Sequence, residues 1–282
     1  MRNKNTKSKD RKPKTVFAKK SFGQNFLVDR NYIDKIIAAL SPQKDETITE
    51  IGAGRGALTE KLIESGAKVI AIELDRDLIP LLQDKFGNNE NFILVEQNAL
   101  TVDFKALLTT YHLPLATKLV ANLPYYISTA ILQKLIEQRE VFSEMVLMLQ
   151  REVVERITAQ TGNKERGFLT VLVEAYLEAE KLFDVPPKAF RPAPKVWSSV
   201  VCFMPKDKKE IKDEKLFREL ISAGFAQKRK TILNNLKNAP LALKEKFDDV
   251  ESLLKSCRIE PQRRAETLNI GEWKCLTNTC GS

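Results

Sequence analysis

The sequence predicts an α/β fold: a Rossmann-like, parallel sheet covered by helices, followed by a small all-helical C-terminal domain. Three observations predict it. Short β-branched runs alternate with amphipathic helical stretches from about residue 32 to residue 203. A glycine run, Glu50-Ile51-Gly52-Ala53-Gly54-Arg55-Gly56, follows the first clear strand directly. From Lys206 onward the apolar spacing is helical only.

Taken in chain order, residues 1–18 are polar and strongly basic and are expected to be disordered. Ile33, Ile36, Ile37 and Leu40 share one face of a helix that Ser41-Pro42 ends. Thr47–Ile51 is a strand, and Leu58, Leu62 and Ile63 mark the helix behind the glycines. Lys68–Glu73 is a second strand ending in an acid, Leu78–Phe86 a helix, and Phe92–Val95 a third strand. Lys118–Ala121 is a fourth strand, Ile131–Glu137 a helix, Glu144–Leu149 a fifth strand and Glu152–Ala159 a helix. Val171–Ala175 and Ser199–Phe203 read as two last strands around the Pro-rich segment 185–194. Helices follow over Leu216–Phe225, Thr231–Leu236, Val250–Ser256 and Ile270–Leu276. The domains are therefore residues 1–18 (basic tail), 19–205 (sheet) and 206–282 (helical).

The charge is uneven. Residues 1–20 carry nine basic residues against one acid, and residues 206–282 carry 17 against 12, of a net +9 for the chain. Basic ends around a mildly acidic body suit phosphate contacts on a polyanion. No stretch is long and apolar enough to span a membrane, and residues 1–20 lack the apolar run of a secretory leader. Cys202, Cys257, Cys275 and Cys280 form no Cys-x-x-Cys pair and His112 is the sole histidine, so no metal site is expected. A reducing, cytoplasmic setting is the expectation from this cysteine usage. Trp197 and Trp273 are assigned to the core, without a role.

The glycines at 52, 54 and 56 let the backbone approach a ligand closely. Glu73, 21 positions after Gly52 at the next strand end, suits a ribose diol. The spacing is G-x-G-x-G, and Ala57 stands where a dinucleotide fingerprint needs its third glycine. This favours S-adenosylmethionine over NAD. Asn98, after the third strand, is placed to accept from the adenine amino group of that cofactor.

Asn122-Leu123-Pro124-Tyr125 follows the fourth strand. A base amino nitrogen is a poor nucleophile because its lone pair is conjugated with the ring. The Asn122 side-chain oxygen and the Leu123 carbonyl can accept its two hydrogens, Pro124 fixes φ and brings no donor, and Tyr125 can stack on the base. The chemistry so implied is methyl transfer to an exocyclic amine, driven mainly by positioning.

Lys20 to Leu27 (KSFGQNFL), Glu50–Gly56, Asn122 to Thr129 (NLPYYIST) and Phe190 to Val196 (FRPAPKV) together resemble the ribosomal RNA adenine dimethyltransferases, over about residues 19–275. Phe225 to Thr231 (FAQKRKT) and Arg264 to Leu268 (RAETL) resemble the small-subunit (16S), kasugamycin-type branch more than the large-subunit erythromycin-resistance branch. The resemblance implies four methyl transfers to two adjacent adenines near the 3′ end of small-subunit rRNA, late in assembly; the sequence leaves oligomeric state open, with a monomer as the default. It implies cofactor contacts at Asn25, Leu27, Gly52, Glu73, position 98 and Asn122, and a second stacking face from Phe190. The family's usual Asp at position 98 is Asn here, and Tyr126 stands where the small-subunit enzymes often carry Asn. Lys228, Arg229 and Lys230, expected on a helix, and Arg263 and Arg264 are candidate phosphate contacts. Two other readings stay open: a large-subunit rRNA methylase, and a non-catalytic RNA-binding assembly or transcription factor on the same fold.

Overall fold

The structure is a computed structural model describing residues 18–19, 23–206, 211–247 and 249–280. The basic run 1–17 and residues 20–22, which open the first family motif, lie outside the described residues.

The elements in order are β1 (Phe26–Leu27), α1 (Arg30–Leu40), β2 (Thr47–Ile51), α2 (Ala57–Glu64), β3 (Lys68–Glu73), α3 (Ile79–Phe86), β4 (Phe92–Glu96), α4 (Phe104–Thr110), β5 (Thr117–Asn122) and α5 (Ser128–Glu137). They continue with β6 (Phe142–Gln150), α6 (Arg151–Ile157), α7 (Phe168–Tyr176), β7 (Leu177–Val185), β8 (Phe190–Arg191) and β9 (Ser198–Pro205). The helical end holds α8 (Glu214–Gly224), α9 (Ile232–Lys237), α10 (Leu241–Lys244), α11 (Val250–Ser256) and α12 (Ile270–Cys280). Among the described residues a seven-stranded sheet has the order β4-β3-β2-β5-β6-β9-β7, and β1 pairs β8 apart from it. The strands β2 to β6 are parallel, while β9 runs antiparallel to both its neighbours. The chain winds outward from β2 to β4, then returns to β5 beside β2. That reversal is the switch point at which such sheets bind ligands.

Both sheet faces are covered, so strand side chains alternate between two cores. Val69 and Ala71 of β3 join α1, α2 and α3 on one face, whereas Ile70 and Ile72 join the other. The second core runs without a break through α7 into α8 and α12, taking in Phe217 and Trp273. Two buried arginines reinforce that junction. Arg139 reaches Glu214 of α8 at 2.6 Å and lies over the Tyr176 ring at 4.2 Å. Arg166 pairs with Glu174 at 2.5 Å and donates to the Leu268 carbonyl at 3.4 Å.

Three expectations need correction. Val171–Ala175 is not a strand but the middle of α7, and the strand is β7 directly after it. Val171, Leu172, Val173 and Ala175 are all buried, because α7 is wedged between the sheet and α8. An apolar run buried on every side has no period to tell helix from strand. The sheet is also not wholly parallel. Only a short 3₁₀ turn, Pro187–Ala189, and β8 lie between β7 and β9, so no helix carries the chain back over the sheet and β9 returns antiparallel. Thirdly, the expectation of reduced thiols fails for Cys257 and Cys275, which form a disulfide with Cα atoms 5.7 Å apart, where α11 packs on α12. Cys202 and Cys280 are free thiols. Among the described residues no helix is long and apolar enough to cross a membrane.

Candidate active site

The strand ends β2, β3, β4 and β5 open into one cleft. Its floor is the glycine turn. Gly52 has φ +75° and its N–H donates to the Ile72 carbonyl at 2.8 Å. Gly56 has φ +78°, and a Cβ there would lie 2.4 Å from a Phe86 ring carbon. Strain and clash therefore both restrict position 56 to glycine. Glu73 ends β3 and is fixed by three backbone N–H groups. Gly54 donates to one carboxylate oxygen at 2.9 Å, and Leu74 and Asp75 donate to the other at 2.9 Å each. With three of its roughly four lone-pair sites taken, the carboxylate keeps one, on the oxygen that Gly54 meets, for a ribose hydroxyl.

Asp75 ties down the segment entering the cleft. Its buried carboxylate accepts from Lys19 Nζ at 2.5 Å and from Gln24 Nε2 at 2.7 Å. Burial pushes its acidity toward a higher pKa, but those hydrogen bonds outweigh it and hold the group below the usual carboxylate range. Asn98 closes its own turn, with Oδ1 accepting from the Leu100 N–H at 3.0 Å.

The Asn122-Leu123-Pro124-Tyr125 tetrad begins at the last residue of β5. Asn122 Nδ2 donates to the Asn25 carbonyl at 3.1 Å, which leaves Oδ1 as the acceptor. The Leu123 N–H donates to the Met148 carbonyl of β6 at 3.2 Å. The Ile127 N–H bonds back to the Pro124 carbonyl at 3.2 Å and Ser128 Oγ to the Tyr125 carbonyl at 3.1 Å, closing the turn into α5. The Tyr125 hydroxyl lies 2.7 Å from Ser198 Oγ at the start of β9. Burial raises the pKa of the Tyr125 phenol, so it stays protonated. Tyr126 stands exposed at the rim, against Gly23.

Asn25, Gly52, Gly54, Glu73, Asn98, Asn122, Leu123, Pro124 and Tyr125 thus line a single cleft. The residues present fit S-adenosylmethionine: a fixed carboxylate for the ribose, a glycine floor with no Cβ in the way, and apolar Ile72 and Leu78 beside Asn98 for the adenine. Other expected residues lie elsewhere. Leu27 is buried and faces a neighbouring cavity beside α1 and α2. Phe190 is 1% exposed, pairs with Leu27 between β1 and β8, and belongs to the core, so it offers no second stacking face. Lys228, Arg229 and Lys230 are exposed but lie in the turn between α8 and α9, not on a helix. Arg263 is tied to Glu272 at 2.5 Å and 3.0 Å and to the Thr267 carbonyl at 2.5 Å, which makes it a brace for α12. Arg264 is exposed. Trp273 is buried as expected, whereas Trp197 is 44% exposed.

Sequence reasoning did not find Gln24, Asp75 or Ser198. Asp75 carried a signal, an acid two residues beyond Glu73 at the end of β3. Ser198 carried none, since only the antiparallel return of β9 brings it to Tyr125.

Residues 16–275 match the family model described as ribosomal RNA adenine dimethylase. A protein of Geobacillus thermodenitrificans named ribosomal RNA small subunit methyltransferase A is 40% identical over 263 residues, covering 92% of this chain and 90% of its own. A Hahella chejuensis protein of the same name is 42% identical over 258 residues, covering 91% and 90%. Among solved structures, a dimethyladenosine transferase from Plasmodium falciparum superposes with TM-score 0.74 at 28% identity, covering 91% of this chain and 98% of that one. The 23S rRNA methyltransferase ErmE shares the fold, with TM-score 0.65 at 22% identity over 92% of this chain and all of its own.

Proposed function

The chain belongs to the ribosomal RNA adenine dimethylase family, and from that premise we propose that it transfers methyl groups from S-adenosylmethionine to N6 of two adjacent adenines near the 3′ end of small-subunit rRNA. The observation that carries this is the pairing, in one cleft, of an oriented Asn122 amide with a Glu73 carboxylate held by three N–H groups. The cofactor supplies an activated sulfonium methyl. Everything else falls to this chain. Glu73 and the glycine turn bind and orient the donor. Asn122 Oδ1 and the Leu123 carbonyl accept the two N6 hydrogens, so the nitrogen lone pair is freed from the ring. As the new N–C bond forms and the methyl–sulfur bond breaks, the positive charge developing on N6 faces these two acceptors. The N6 proton is then lost to solvent. Tyr125 stacks on the base, and Pro124 leaves no competing donor.

Residues 19–205 form the catalytic domain in this reading, and 206–282 an rRNA-contacting helical domain. Exposed Lys228, Arg229, Lys230 and Arg264 are its phosphate contacts. The protein acts as a monomer in the cytoplasm on the immature small subunit. The test is labelled methyl incorporation into purified small and large subunits from a strain lacking adenine dimethylation. Label recovered as dimethyladenosine from the small subunit is the expected result. Label in the large subunit, or in neither, overturns the reading.

A further inference from the structure

Cofactor-binding groups cluster over the ends of β2, β3 and β4, and the target-binding tetrad follows at the end of β5. The next strands along the same sheet edge are β6 and then β9. Here β6 ends at Gln150, which pairs with Ser198, the first residue of β9. Ser198 Oγ touches the Tyr125 hydroxyl at 2.7 Å. The residue before it, Trp197, is held in place through its carbonyl, which accepts from the Arg151 N–H at 3.0 Å. Trp197 is absent from the cleft lining and directly precedes β9, which lies two strands along the sheet from β5, on the side opposite β2. Its ring is 44% exposed, while Trp273 is fully buried.

The surroundings are predominantly basic, although Arg151 also pairs with the exposed Glu155 at 3.5 Å. The Arg151 guanidinium sits 5.8 Å from the Trp197 ring centroid. Residues 186–197 contain Lys188, Arg191 and Lys195, all exposed, and no acid. An exposed indole beside cations is the pairing that unpaired nucleic acid uses, with bases stacking on the ring and phosphates meeting the charge. A base extruded onto Tyr125 leaves its neighbour in the strand unstacked, and such a base gains from a new ring to lie on.

We propose that Trp197 is a stacking platform for the nucleobase adjoining the target adenine in an unpaired RNA strand, with Arg151 and the basic segment 186–197 holding the phosphates between the two bases. The inference rests on the proposed function. It adds a second base position and sets the direction of the strand, from the cofactor side of the cleft outward over β6 and β9.

The test uses the full-length protein. In steady-state methylation of undermethylated small subunits, Trp197→Ala should raise KM for the subunit by roughly 5- to 100-fold, since stacking is worth that much per base. It should leave kcat within about twofold and cofactor affinity unchanged. Trp197→Phe, which restores a ring, should recover most of the loss. Because the chain has two tryptophans and the other is buried, titration with a single-stranded RNA of the target sequence, without methyl donor, should quench the wild-type emission, and Trp197→Phe should abolish the quenching. An unchanged KM in Trp197→Ala, or a Phe variant no better than Ala, overturns the proposal. So does photocrosslinking of position 197 to a ribosomal protein in place of RNA. Wild-type protein that quenches with RNA but methylates neither subunit would fail the functional reading and leave the stacking platform standing.

Discussion

The Tyr125 hydroxyl and the Ser198 hydroxyl lie 2.7 Å apart, which makes the antiparallel strand β9 the anchor of the Tyr125 ring. Ser198 is fully buried, so the bond is shielded from water. Ser198 is a positioning residue: it touches Tyr125 and does not line the cleft. Ser198→Ala and Tyr125→Phe should each lower kcat/KM by about 2- to 10-fold, the worth of one hydrogen bond. The double variant should be no worse than either single one. Multiplicative losses would show that the two hydroxyls act separately.

Asn122 offers the sharper test of chemistry. Its Nδ2 contact with the Asn25 carbonyl aims Oδ1 without touching the RNA-binding surface proposed for the helical domain. Asn122→Ala should cut kcat by about 100- to 1,000-fold, the loss seen when one preorganised polar group facing developing charge is removed. RNA affinity, measured by filter binding, should stay within about threefold. Methylation at the wild-type rate would remove Asn122 from the mechanism.

Much of this arrangement was legible in the chain because the site is local in sequence. The glycine run, Glu73 and the Asn122 tetrad each sit at the end of a strand with a clear apolar pattern, and parallel sheets gather their strand ends on one edge. Glu73 and Asn122 could therefore be placed together before any coordinates. What was not legible depends on contacts between distant segments. Phe190 reads as a site aromatic from its motif, yet the pairing of β8 with β1 turns its ring into the core. Arg263 reads as a free cation until α12 brings Glu272 to it. Val171–Ala175 reads as a strand because burial on all sides erases its helical period. Ser198 and Trp197 gain their places only because β9 runs antiparallel, which local pattern did not announce.

Asn98 is already engaged through Oδ1 with the Leu100 N–H at 3.0 Å. An aspartate there would keep that bond with one oxygen and present a second, charged oxygen to the cofactor's adenine amine. Asn98→Asp should therefore tighten S-adenosylmethionine binding by about 5- to 10-fold, within the gain of a charge-assisted over a neutral hydrogen bond. Isothermal titration of the two proteins checks it. Equal or weaker binding would place the adenine amine away from position 98.

Glu50 gives a prediction in pH. It is 1% exposed in β2 behind the glycine turn, and Thr59 Oγ1 donates to it at 2.6 Å. Burial is the main cause that lifts its pKa from 4.5 to about 7. The nearby Glu73 charge adds to the rise, while the Thr59 hydrogen bond opposes it. Because the folded-state pKa exceeds the unfolded one, the native protein holds this proton more tightly between those values. Its stabilising effect is fully present below about pH 4.5 and is lost as pH rises through about 7. The shift corresponds to a loss on the order of 3 kcal/mol. Glu50→Gln keeps an acceptor for Thr59 and cannot ionise. Its melting temperature should match that of the wild type near pH 4.5 and exceed it by about 5 °C or more at pH 8, as expected for a chain of this size. A difference between the two proteins that stays constant from pH 5 to 8 would mean that Glu50 is charged, and accommodated, throughout that range.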